Sequence, residues 1–98
     1  MAEIVWTEPA LNDLDKIAEY IAVSNLVAAK KLVKEVFAKV EILEEYPKSG
    51  KSVPELPPLN YSELYVKPCR IFYKFEDSKA FILHVMRHEQ DLRRFLLD

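Results

Sequence analysis

Apolar positions along this chain change period twice, from strand spacing to helix spacing and back. Glu3-Ile4-Val5-Trp6 is a short β-rich run that stops at Thr7. Thr7 is a good N-cap, Glu8 suits the positive end of a helix dipole and Pro9 is tolerated in a first turn, so a helix starts here. Leu11, Leu14, Ile17, Ala18 and Ile21 then recur at spacings of three and four, predicting an amphipathic helix of roughly four turns. Ser24-Asn25 breaks the pattern and can cap a second helix. Its buried stripe is Leu32, Val33, Val36, Val40 and Leu43, and Tyr46-Pro47 ends it. An αα-hairpin is expected.

Residues 47 to 60 hold four of the six prolines and the only glycine, Gly50, and are expected to form a surface connection. Strand spacing returns in three successive runs, the first at Tyr61-Ser62-Glu63-Leu64; in the second, Cys69, Ile71, Tyr73 and Phe75 face the helices and Arg70, Phe72 and Lys74 face away. Glu76-Asp77-Ser78-Lys79 is a polar turn into Ala80–Arg87, giving an antiparallel hairpin. Both faces of that last strand are largely apolar, which places it centrally in the sheet. Gln90 to Asp98 can add a helical turn or two, with Leu92, Phe95 and Leu96 folding back on the core. The expected architecture is α+β, in the order β-α-α-β-β-β, with the helical hairpin packed on a small antiparallel sheet. A chain of 98 residues suits one domain spanning 1–98.

Charge alters the picture more by its distribution than by its sum. Fourteen basic and sixteen acidic residues give a net charge of −2, whereas a protein living by phosphate contacts usually carries a positive surplus. The N-terminal part through Tyr46 is acid-rich and the part from Val66 onward is base-rich, so any cationic surface belongs to the C-terminal strands and tail. In the hairpin, Lys30, Lys31 and Lys34 crowd the start of the second helix and Glu41, Glu44 and Glu45 its end, against the dipole. Those glutamates should lie near Glu8, Asp13 and Asp15, forming an acidic end suited to protein docking. One cysteine, Cys69, allows no intramolecular disulfide and no metal site of its own, and fits a reducing cytoplasm. No apolar run approaches a membrane span. No cofactor and no membrane partner are expected.

The residues that could carry function each have a plain alternative. Arg70 could contact a partner or pair with Glu63 or Glu76 across the sheet. His84, between apolar neighbours, reads better as a satisfied sheet histidine. Arg87 and His88 end a strand, where side chains emerge, and read as functional. Tyr73 should pack on the helices with its hydroxyl partnered at the edge, Cys69 reads as inert packing, and Trp6 as core. Lys48-Ser49-Gly50-Lys51 lacks the glycine cradle of a phosphate-binding loop.

In order along the chain, Trp6-Thr7, Ala10, Asp13-Leu14, Ile17, Tyr20-Ile21, Pro47, Gly50 and the run Glu63-Leu64, Val66, Pro68, Arg70-Ile71-Phe72-Tyr73 resemble the RelE/ParE toxin superfamily. The resemblance implies a small cytoplasmic toxin neutralised by a cognate antitoxin that wraps a segment around it. It also leaves two targets: RelE-like members cleave messenger RNA in the ribosome, and ParE-like members poison DNA gyrase. Cleavage through a 2′-hydroxyl needs a base, an acid and cations for a dianionic phosphorane, which RelE-like nucleases supply mostly with lysines, arginines and a tyrosine. Here Ser62 and Leu64 stand where a lysine pair is expected, and Arg93, Arg94 and Phe95 where the tyrosine would fall. Arg70 matches the mid-sheet arginine, and Arg87-His88 sits where a second cation belongs. The expected function is therefore a ParE-like, plasmid-stabilisation-type toxin that inhibits gyrase, with Arg70, Arg87, His88, Arg93 and Arg94 as target contacts. The alternatives are a ribosome-dependent ribonuclease using Arg70, Arg87 and His88, or an inactive homologue that binds only its antitoxin. A homodimer or a toxin–antitoxin hetero-oligomer would cover exposed apolar surface.

Overall fold

The computed structural model describes residues 1–54 and 60–87. Strand β1 (Glu3–Trp6) leads into helices α1 (Glu8–Ala22) and α2 (Leu26–Glu41), then a 3-10 turn (Ile42–Glu44). Strands β2 (Lys51–Ser52), β3 (Ser62–Val66), β4 (Cys69–Glu76) and β5 (Lys79–Arg87) follow. The sheet runs β1-β5-β4-β3-β2, an α+β fold with the two helices packed on a mixed sheet.

Local chemistry explains the helix boundaries. The Thr7 hydroxyl accepts from the Ala10 amide at 3.4 Å and donates to the Ile82 carbonyl at 2.6 Å, so one side chain caps α1 and ties it to β5. Asn25 caps α2 by accepting from the Ala28 amide at 2.9 Å. The second helix is shorter than its apolar stripe predicts, because the chain tightens after Glu41 into i→i+3 bonding, with Glu45 donating to the Ile42 carbonyl at 3.2 Å. Lys39 therefore occupies the last turn of α2, and Glu44 and Glu45 lie beyond the helix. The dipole conflict expected at this end is correspondingly reduced.

One core lies between helices and sheet: Leu14 and Ile17 of α1, Leu32, Val36 and Val40 of α2, and Cys69, Ile71, Tyr73, Ile82 and Val85 of the strands. Each such aliphatic side chain stabilises the fold by about 1.5–3 kcal/mol. Trp6 packs against it and meets the Phe37 ring at a tilt of 47°, ring centroids 4.7 Å apart. Cys69 is fully buried packing and Tyr73 packs toward the helices, as their strand positions predict. A smaller cluster on the opposite face joins Phe72 and Met86 to Val53, with Tyr61 against it. The face of β4 and β5 turned away from the helices is thus covered at Phe72 and Met86.

Two pairings go beyond the sequence pattern. β1 joins β5 in parallel, Glu3 opposite Lys79 through Trp6 opposite Ile82. Inside the expected surface connection, Lys51–Ser52 pairs with Glu63 and Ser62 as a short outer strand. The β4–β5 connection is a two-residue turn with Asp77 and Ser78 both at positive φ, 53° and 62°, the left-handed pair that suits a twisted hairpin.

Candidate functional site

Three side-chain groups give the described surface its chemistry. On the sheet face away from the helices, Arg70 projects from β4 toward Glu63 of β3. Its Nε donates to Glu63 Oε1 at 3.2 Å and its Nη2 to Oε2 at 2.8 Å, a bidentate fork. The guanidinium also lies 5.0 Å from the Phe72 ring centroid. Arg70 is only 8% exposed. Of the two carboxylates that the sequence offered it, Glu63 is the partner; Glu76 pairs with Lys74 at 3.3 Å instead. Sequestered in this way, Arg70 braces β3 against β4.

The second group holds the outer side of β5. β1 stops pairing at Ile82, and beyond it Asp13 of α1 reaches the strand. Asp13 Oδ2 accepts from the Val85 amide at 3.1 Å and stands 3.1 Å from His84 Nδ1. His84 is thus a satisfied sheet histidine. Asp13 does not join the acidic end expected of the hairpin, because its carboxylate is turned to the sheet.

At the far end of β5, Arg87 lies over the ring of Tyr20 from α1, 4.6 Å from its centroid, a stacked cation–π pair. Tyr20 is 66% exposed, so this pair sits at the surface where the helical hairpin meets the end of the sheet. Sequence reasoning singled out Arg87 and missed Tyr20 as its support; the available signal was an aromatic side chain standing off the α1 stripe. His88, Arg93, Arg94 and the expected helical turn of residues 90–98 lie outside the described residues.

Around Gly50, Tyr73 does the work that the Lys48–Lys51 stretch does not. Its hydroxyl donates to the Pro47 carbonyl and accepts from the Gly50 amide, both at 2.9 Å, pinning the connection to the sheet. Among the described residues no group of three or more His, Cys, Asp or Glu could hold a metal ion, and no helix is long and apolar enough to cross a membrane.

Two helices packed on a five-stranded mixed sheet are the fold of RelE/ParE toxins. The chain belongs to the ParE toxin family of type II toxin–antitoxin systems, parDE, matched over residues 4–92. It is 32% identical over 88 residues to the toxin RelE2 of Caulobacter vibrioides, covering 89% of this chain and 92% of that one. Among solved structures it is similar to the chromosomal ParDE toxin–antitoxin system of P. aeruginosa, with a TM-score of 0.75 and 26% identity, covering 91% of this chain and 98% of the other. The isolated E. coli RelE toxin shares the fold, with a TM-score of 0.53 at 15% identity over 99% of this chain and 95% of that one. The chain is accordingly the toxin of a type II system, a family whose members have an antitoxin partner.

Proposed function

We propose that this toxin inhibits DNA gyrase and thereby replication in the cytoplasm, acting by binding rather than by cutting RNA. The observation that carries the reading is the Arg70–Glu63 fork. A guanidinium already held through two N–H groups by a carboxylate cannot steady a phosphorane without first displacing a group of the same charge. Leu64, at one of the positions where RelE-like nucleases carry lysine, belongs to the buried core, and Ser62 has no charge to offer.

Arg87, displayed on Tyr20, is the proposed target contact within the described residues, joined by His88, Arg93 and Arg94 of the sequence beyond it. Arg70 fixes the strand surface from which they are presented. The cognate antitoxin is proposed to lay a segment along the sheet or the hairpin groove.

The test combines the purified chain with gyrase and relaxed plasmid. Supercoiling should fall and linear, cleaved plasmid should accumulate. Arg87→Ala should weaken this inhibition about tenfold with little change in melting temperature. Transcripts cut at codon boundaries by the chain with ribosomes and no topoisomerase would overturn the proposal in favour of a RelE-like nuclease.

A further inference from the structure

The turn of the helical hairpin carries apolar surface that the fold does not use. Residues 20 to 29 form the longest stretch without Asp, Glu, Lys or Arg in a chain that is 31% charged. Within it Val23 and Val27 are 89% and 77% exposed, and Tyr20 and Leu26 are also exposed. The connection needs only its polar members: Ser24 and Asn25 donate their amides to the Ile21 carbonyl, and Asn25 caps α2. Valine is a middling helix former with a stiff side chain, so helix-forming tendency does not account for Val23 or Val27 either.

Cations surround this apolar tip. Arg87 lies over Tyr20, while Lys67 and Pro68 of the β3–β4 turn line one groove with Ile21, Ala28 and Lys31. Lys30 and Lys31 follow on α2, and no carboxylate occurs from Tyr20 to Lys31. Two acids flank the tip: Glu19 is exposed on α1 one turn before Val23, and Glu35 on α2 reaches Lys31 loosely at 3.9 Å, with both side chains exposed. Glu41, Glu44 and Glu45 lie at the other end of α2, so the hairpin is polarised along its length.

We infer that this tip is an apolar anchor of the target-docking surface, accepting a protein face that presents an apolar hollow edged by carboxylates. The inference rests on the target-binding reading above and adds to it a patch of uncharged side chains beside Arg87. Charge complementarity selects the occupant. A second copy meeting tip to tip would set one cationic rim against another, and nucleic acid would engage the lysines but leave three aliphatic side chains in water. Buried anchors ringed by polar groups are the usual arrangement where a few residues dominate affinity.

The experiment compares the intact chain with Val23→Asp/Val27→Asp and with the uncharged Val23→Ser/Val27→Ser, which keeps the test open if the aspartates disturb the helix ends. Growth arrest on expression, binding to purified gyrase, binding to the antitoxin, sedimentation and binding to anionic vesicles are read in parallel, with circular dichroism melting as the fold control. Both variants should lose growth arrest and bind gyrase at least about tenfold more weakly, with antitoxin binding and sedimentation unchanged. Arrest equal to that of the parent chain overturns the inference, as does an effect confined to antitoxin binding, self-association or vesicles. A parent chain that arrests growth without binding gyrase removes the gyrase reading alone, and the arrest measurement still decides the role of the tip. A parent chain that arrests nothing overturns both.

Discussion

A methyl group at Gly50 would stand 2.5 Å from the Tyr73 hydroxyl oxygen, 2.6 Å from its Cε1 and 2.9 Å from the Glu63 carbonyl oxygen. The chain has a single glycine because the backbone here runs against a buried ring, and not because it must turn left-handed. Gly50→Ala should destabilise the protein by about 1–3 kcal/mol through overpacking. Tyr73→Phe should cost about 1–2 kcal/mol by removing both hydroxyl hydrogen bonds. Since that change also removes the nearest clashing atom, the double variant should lose less than the two single losses combined, measurable as a coupling in denaturant unfolding. Strict additivity would mean that Gly50 is constrained by something other than the ring. Ser78 presents the opposite case, a side-chain-bearing residue at φ 62°. Ser78→Gly should gain about 0.5–1 kcal/mol by relieving the left-handed penalty, net of glycine's entropy. A lower denaturation midpoint in that variant would contradict the turn assigned here.

Among the elements, those set by local chemistry were legible and those set by distant pairing were not. Thr7 and Asn25 announced both helix starts because capping is a contact between residues three apart. The apolar spacings of Leu14, Ile17, Leu32, Val36 and Val40 identified the buried faces, the alternation in β4 identified its helix-facing side, and the apolar residues on both faces of β5 identified a central strand. Three features left no periodic trace: the parallel docking of β1, the two-residue β2, and the reach of Asp13 to Val85. The first two depend on partners far along the chain, and the third on where a helix crosses a sheet edge. Of the candidate site, Arg87 and the alternative Glu63 partner of Arg70 could be read directly, whereas Tyr20 beneath Arg87 required the packed hairpin. Asp13→Ala should leave the Val85 amide without its acceptor and cost about 1–3 kcal/mol, with Asp13→Asn milder because an oxygen remains. Hydrogen exchange offers the check: the Val85 amide should exchange faster in the alanine variant, and unchanged protection would show that the carboxylate is dispensable to the strand.

For the molecule as a whole, connectivity matters more than size. Thr7 and Ile82, joined by a hydrogen bond, lie 75 positions apart in sequence, while two residues suffice to close β4 onto β5. Loop-closure entropy makes the short closure cheap and the long one slow. The expected order of assembly is the β4–β5 ribbon first, with β1 joining beside Lys79–Ile82 last. In stopped-flow experiments Ile4→Ala should quicken unfolding with little change in refolding rate, whereas Ser78→Gly should speed refolding. A refolding rate that dropped in full proportion to the stability lost by Ile4→Ala would reverse this order. The parallel first strand is thus the final latch of the sheet. On that order, the main chain along Lys79–Ile82 would stay bare until β1 engages, open to capture by any extended peptide within reach.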